Sequence, residues 1–149
     1  MHRLLYYRVS TIAHATEDIN KVSKAILNLF PPDLRGRIGF RVTEAKGHWG
    51  NPIALIEAEV VGMADASKAV KWLASMLSDF DKHLLSLNLR DHVDKTGNLY
   101  IRVNKQDAYL GKAVLDEGDD IIKIVVGLGG VKRLSEMRRV YCSLGIIKC

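Results

Sequence analysis

A regular alternation of side-chain character over Leu99–Asn104 constrains this chain more than any other feature. Leu99, Ile101 and Val103 fall on one side of an extended strand, and Tyr100, Arg102 and Asn104 fall on the other, because successive strand side chains point to opposite faces. Such a strand calls for a sheet with one face packed on a core and the other open to water. The open side offers an aromatic plane, a guanidinium and an amide, and Lys105 and Gln106 follow directly. These groups suit a nucleic-acid backbone and unstacked bases better than they suit a small-molecule pocket. A solvated sheet face with a Tyr–Arg pair explains the same residues without any ligand.

The remaining pattern is mixed. Leu4–Ala15 reads as a long first strand rich in Leu, Tyr, Val and Ile. Thr16 is the expected N-cap of a helix over Glu17–Leu29, where Ile19, Val22, Ile26 and Leu29 recur at helical spacing. Pro31-Pro32 ends that helix. Ile38–Ala45 and Ile53–Val61 are expected to pair as strands across the link Lys46–Pro52. Asp65 is the expected cap of a second helix with the apolar stripe Val70, Leu73, Met76 and Leu77, and a shorter helix is expected over Phe80–Leu87. After a turn-rich link come a last strand, Ile121–Val126, a bend at Gly127–Gly130, and a C-terminal helix over about Val131–Val140. The expectation is an α+β fold with a largely antiparallel sheet and helices packed mainly on one face. No internal repeat or linker divides the sequence, so residues 1–149 are expected to form a single domain, large enough to bury roughly two-thirds of its unfolded surface.

Composition excludes some classes. Hydrophobic residues make up 48% and charged residues 26%, as in soluble globular proteins. The longest apolar run is far short of a membrane span and residues 1–15 lack the layout of a signal peptide, so a cytoplasmic location without a membrane partner is expected. Cys142 and Cys149 have no metal-type spacing; loop length permits a disulfide, but two free thiols are expected in a reducing compartment. The net charge of +5 is not spread evenly. Residues 1–120 hold as many acidic as basic side chains, whereas residues 121–149 hold Lys123, Lys132, Arg133, Arg138, Arg139 and Lys148 against Glu136 alone. A basic surface there would attract a polyanion, although a solvated helix face is an equally good account.

Other constellations carry less chemistry. The loop Lys46-Gly-His-Trp-Gly-Asn-Pro52 presents Lys46, His48 and Trp49 at a tight turn, where Trp49 either stacks on a base or folds back onto the sheet. Gly127-Leu-Gly-Gly130 lacks the fuller pattern of a nucleotide loop and reads as a bend. Asp116-Glu-Gly-Asp-Asp120 reads as a turn ahead of a strand. His2, His14, His48, His83 and His92 share no metal-ligand spacing. No cofactor, metal or catalytic residue is expected.

Several phrases occur in a telling order: Ala13-His-Ala-Thr-Glu-Asp18, Gly47-His-Trp-Gly-Asn-Pro52, Leu89-Arg-Asp-His-Val-Asp94, Gly97-Asn-Leu-Tyr-Ile-Arg102, Lys105-Gln106 with Gly111, and Gly118-Asp-Asp-Ile-Ile-Lys123. Over roughly residues 4–128 the chain resembles the archaeal RNA-binding proteins described as predicted exosome subunits. That resemblance implies a fold like the ribosomal protein that binds 5S RNA, an RNA-binding role without catalysis, and the exosome or other RNA-processing proteins as partners. Carried onto this sequence, it implies an RNA surface of Lys46, His48, Trp49, Arg102, Lys105 and Gln106. Tyr100 joins Trp49 as a stacking group, and Arg90 either joins the surface or pairs with Asp91 or Asp94. Arg35, Arg37, Lys132, Arg133 and Arg139 are added on charge alone. The RNA would be structured or single-stranded. Two other classes remain open at this point: a scaffold subunit docking its basic tail on an acidic partner, and a metal-dependent RNA-processing enzyme using Asp91, Asp94, Asp119 or Asp120.

Overall fold

The computed structural model describes residues 3–149; His2 lies outside them. The central strand, β1 (Arg3–His14), sets the two faces of the sheet. Tyr7, Val9, Thr11 and Ala13 point inward and are buried, and Tyr6, Arg8, Ser10, Ile12 and His14 point the other way. β1 pairs antiparallel with β3 (Pro52–Val61) on one side and β5 (Ile121–Gly129) on the other. β2 (Gly39–Lys46) flanks β3 and β4 (Leu99–Asn104) flanks β5, also antiparallel, giving the order β2-β3-β1-β5-β4. The registers bring Ala54, Ile56, Ala58 and Val60 of β3, Ile122, Ile124, Val126 and Leu128 of β5, and Leu99, Ile101 and Val103 of β4 onto the inward face.

The helices cover that face. α1 (Ile19–Leu27) buries Val22, Ala25 and Ile26, and α2 (Met63–Met76) buries Ala66, Ala69, Val70, Leu73 and Ala74. Ala54 and Ala58 on β3 and Ala66 and Ala69 on α2 all belong to the buried core. α3 (Asp79–Leu87), the single turn α4 (Leu89–His92) and α6 (Leu134–Ser143) complete the layer, with Leu85, Leu89, Met137, Val140 and Tyr141 buried. The short α5 (Lys105–Tyr109) follows β4 directly and packs beside α1. The α+β class with an antiparallel sheet thus stands as expected.

Local details differ from the sequence reading. Asp18, not Thr16, caps α1, its side chain accepting from the Asn20 amide at 2.9 Å. Glu17 is held outside the helix because it exchanges hydrogen bonds with the backbone of His14. Past Leu27 the chain turns through Pro31 into a 3-10 segment, Pro32–Arg37. The carbonyls left open there are taken up by side chains: Asn28 by the Trp72 indole at 2.9 Å, Leu29 by the Tyr7 hydroxyl at 2.8 Å, and Phe30 by Arg35 Nε at 3.1 Å. Gly62 precedes α2, and Asp65 lies in its first turn, paired with Arg37 at 3.3 Å. The last strand runs on through Gly127 to Gly129, the chain leaves it at Gly130, and α6 begins at Leu134. Cys142 and Cys149 form a disulfide, contrary to the expectation of free thiols. The chain reverses after α6 at Gly145 and buries Ile146 and Ile147, which brings the two Cα atoms to 5.6 Å, inside disulfide range.

One buried charge ties distant segments together. Lys105 is 4% exposed, and its ammonium donates to the Ile12 carbonyl at 2.8 Å and to Glu17 at 3.1 Å, with Asp120 also at 3.1 Å. It joins β1, the approach to α1, α5 and the entry to β5. Both carboxylates remain partly exposed, so the lysine carries most of the desolvation cost.

A second device lies on the open face. Gly127 faces Tyr6 across the β1–β5 pairing, and a Cβ at Gly127 would lie 2.2 Å from the Tyr6 ring. The ring therefore rests on bare backbone. Gly127→Ala should cost about 1–3 kcal/mol in urea unfolding through overpacking. The same change in a Tyr6→Ala background should cost much less; equal losses in both backgrounds would disprove the coupling.

Candidate nucleic-acid interface

The uncovered face of the sheet carries rows of side chains fixed by strand register. Arg41, Glu57, Ser10, Lys123 and Arg102 lie in one row across all five strands. Gly39, Glu59, Arg8, Val125 and Tyr100 form the next. Charge divides along these rows. On the β2–β3–β1 side Arg41 pairs with Glu57, and Arg8 Nε meets Glu59 at 2.5 Å. On the β5–β4 side Arg102 and Lys123 form no ion pair among the described residues. The Arg102 guanidinium reaches the Gly118 carbonyl at 3.3 Å, and Lys123 Nζ stands 5.5 Å from the centre of the Tyr100 ring. This half of the face combines an aromatic ring with cations outside any ion pair among the described residues, Arg102 lying close enough to Asp116 to hold its carboxyl lower. The Arg8 guanidinium lies 4.4 Å from the centre of the Tyr6 ring, so that tyrosine is partly covered.

Tyr100 is held by a dense turn. Its hydroxyl donates to Asp94 at 3.0 Å, and the same carboxylate accepts from the Thr96 amide (3.0 Å), the Thr96 hydroxyl (2.8 Å), the Asn98 amide (3.0 Å) and the Asn98 side chain (3.1 Å). Gly97, at φ 91°, makes the reversal that a side-chain-bearing residue would resist. Asn98 accepts from the Leu128 amide at 2.9 Å, and Tyr141 donates to the Gly97 carbonyl, so the turn is tied to β5 and α6. The phrases Leu89–Asp94 and Gly97–Arg102 are thus a structural unit that orients one ring.

The other residues read from the sequence fall in separate places. Lys46, His48 and Trp49 sit on the β2–β3 hairpin, closed by hydrogen bonds between Gly47 and Asn51 at 2.7 Å and Gly50 and Gly47 at 2.9 Å. Trp49 is 85% exposed, with His48 edge-on to it at 4.8 Å, so it does not fold back as a core plug. Lys105 is interior and engaged, so the structure does not present its charge outward. Gln106 is exposed and donates to Asp120 at 3.0 Å. Arg35 is committed to the Phe30 carbonyl and Arg37 to Asp65. Arg90 is exposed on α4, without an ion pair to Asp91 or Asp94. Lys132 and Arg133 are exposed before α6, and Arg139 is exposed on it.

The C-terminal charge is therefore dispersed: Arg138 donates to Ser86 at 3.0 Å and Lys148 lies 3.5 Å from Asp79. Lys123 was counted only with the basic tail and Tyr6 only with the first strand, although Lys123 stands between the buried Ile122 and Ile124 and its outward direction follows from alternation. The carboxylates considered for a metal do not converge, and no group of three His, Cys, Asp or Glu among the described residues could hold one. Asp116 instead accepts from Asn104 at 2.8 Å and from the Gly118 amide at 2.9 Å.

These carboxylates predict an acid limb of stability. Burial raises the Asp94 carboxyl, but the hydrogen bonds from Thr96, Asn98 and Tyr100 outweigh it and hold its pKa below the ordinary value. The Gln106 hydrogen bond, reinforced by Lys105, holds Asp120 low against partial burial. A folded pKa below the unfolded one gives stability that is complete above about pH 4 and is lost as pH falls through the folded value. Thermal melts should therefore drop below about pH 4. Asp94→Asn should lower stability by about 2 kcal/mol at neutral pH and shrink the drop; an unchanged acid limb would remove Asp94 from this role.

The family described as RNA binding matches residues 6–128, from β1 through most of β5. An RNA-binding protein of Pyrococcus abyssi is 39% identical over 118 residues, 78% of this chain and 77% of that protein. An uncharacterised protein of Methanocaldococcus jannaschii is 38% identical over 120 residues, 79% of this chain and 80% of that one. Among solved structures, a DUF54-family protein of Archaeglobus fulgidus superposes with a TM-score of 0.80 at 32% identity, covering 95% of this chain and 99% of that one. The match takes in the turn that orients Tyr100, the strand that carries Arg102 and the exposed hairpin, and the chain belongs to the family described as RNA binding.

Proposed function

We propose that this protein is a non-catalytic RNA-binding module whose main contact is the β5–β4 half of the open sheet face. The observation that carries the reading is the pair Arg102 and Lys123, neither in an ion pair among the described residues, beside the anchored ring of Tyr100. Arginine and lysine hold phosphates without reading sequence, and an aromatic ring stacks on any unpaired base. Single-stranded or looped RNA fits such a flat platform, because its bases can be splayed onto the sheet. Trp49 and Lys46 on the hairpin extend the contact at the far end of β2 and β3. Membership of the RNA-binding family supports the ligand class.

The finer reading follows the resemblance to predicted exosome subunits. In it the module works in the cytoplasm within RNA processing or degradation, on a fold of the 5S-RNA-binding ribosomal type, and meets protein partners through surfaces other than the sheet face. Co-purification that survives RNase treatment tests that association; loss of every partner on RNase treatment would leave RNA as the only link.

Binding to single-stranded RNA should weaken steeply as salt rises, because phosphate contacts release counterions. Arg102→Ala with Lys123→Ala should lower the magnitude of the salt slope by about one to two, measured by fluorescence anisotropy. Trp49→Ala should cost about 1–3 kcal/mol of binding if a base stacks there, without altering the melting temperature. A salt-independent interaction, or wild-type affinity in the Arg102/Lys123 double variant, would overturn the sheet-face assignment.

A further inference from the structure

Beyond the sheet face lies a second cationic feature. Where β5 gives way to α6, a groove of about 970 Å³ is lined by Tyr6, Lys95, Gly130, Lys132, Arg133 and Glu136 among others. Two turns deliver the cations. Lys95 is carried by the turn that the Asp94 carboxylate closes through Thr96 and Asn98. Lys132 and Arg133 follow Gly130, whose φ of 81° swings the chain out of the strand, and the buried Val131 pins the segment to the core. Three cations thus face one carboxylate, and none of the three is in an ion pair among the described residues. Tyr6 is shared: its ring lies on Gly127 of the sheet face and also forms a wall of the groove. Cations held on anchored turns, outnumbering the carboxylates beside them and outside ion pairs, are the arrangement that receives phosphates.

We propose that this groove is a second segment of the RNA site, binding the phosphodiester backbone of the nucleotides that flank those on the sheet face. The inference rests on the sheet-face reading for its ligand. Lys123 and Gly127 stand four positions apart on β5, about 13 Å of strand, so a very short oligonucleotide engages one segment and a longer one engages both. Joining two weak contacts by one strand raises the effective concentration at the second, and affinity becomes dependent on length.

The test compares a single-stranded trinucleotide with a dodecanucleotide on the full chain. Binding is followed by anisotropy for the long RNA and by NMR titration at Tyr100 for the short one, with circular dichroism melts checking each variant. In Lys95→Ala/Lys132→Ala/Arg133→Ala, the dodecanucleotide should bind at least tenfold more weakly, with a salt slope smaller by about two, while the trinucleotide titration is unchanged. Lys71→Ala, an exposed position on α2, should leave both as in wild type.

A triple variant whose dodecanucleotide affinity stays within twofold of wild type, while Arg102→Ala/Lys123→Ala still weakens it, overturns the groove and leaves the sheet face standing. No binding of either RNA by the wild type overturns both. An equal loss in Lys71→Ala marks a diffuse charge effect and overturns the groove. Displacement of the dodecanucleotide by polyglutamate at equal charge concentration identifies an acidic-peptide site and overturns it as well.

Discussion

Burial of alternate residues along β1 is the constraint on which the other features depend. Tyr7, Val9 and Ala13 meet the helices, so Tyr6, Arg8 and Ser10 must face away. A slip of one residue would bring Arg8 inward and expose Tyr7, costing both an unpaired buried charge and a large ring. Pairing on both sides then transmits the choice to β3 and β5, and through them to β2 and β4. Once the helices have covered the inward face, no further element among the described residues packs against the outward one. The platform for a ligand follows from the way the core is closed.

The interior settles its polar groups completely: no buried side-chain nitrogen or oxygen among the described residues lacks a partner. Lys105 is neutralised by Glu17 and Asp120, Asp94 is surrounded by donors, and the open carbonyls after α1 are met by Tyr7, Trp72 and Arg35. Basic side chains are thereby sorted. Arg8, Arg37, Arg41 and Lys105 are in ion pairs and Arg35 is bound to a backbone carbonyl, whereas Lys123, Lys95, Lys132 and Arg133, and Arg102 apart from its bond to the Gly118 carbonyl, form no ion pair among the described residues. Net charge alone does not make this distinction, because the two sets are chemically alike and differ only in what stands next to them.

The same sorting explains what could be read from the sequence. The outward set of β4 was legible because alternation is a local property, and so was the hairpin, because Gly47, Gly50 and Pro52 bracket a turn. Lys105 was not, since Glu17 lies 88 positions away in the chain and no local pattern announces the pair. α5 escaped because five residues capped by Asn104 are too few to show a helical period. Thr16 and Asp18 are both competent caps, and the bonds between Glu17 and His14 decide for Asp18. The basic tail looked like one surface when summed by position, yet its members diverge: Lys123 points out from β5, Arg138 binds Ser86, and Lys148 meets Asp79. The disulfide depends on the reversal at Gly145, which spacing permits without dictating.

The proposed platform also carries a built-in competition. Lys123 stands over Tyr100, so a base that stacks on that ring must displace the ammonium. An exposed cation–π contact contributes about 0.5–1 kcal/mol, whereas stacking a base on an aromatic side chain contributes about 1–3 kcal/mol. The exchange favours the base. It also releases Lys123 beside Arg102, the position from which it can meet a phosphate of the same nucleotide or its neighbour. Tyr100 itself gives little freedom in return, because its hydroxyl stays bonded to Asp94 and its backbone carbonyl lies 3.0 Å from His92 Nδ1. The ring is ordered in the protein before the ligand arrives, and the lysine, with its longer chain of rotatable bonds, is the partner that follows the phosphate.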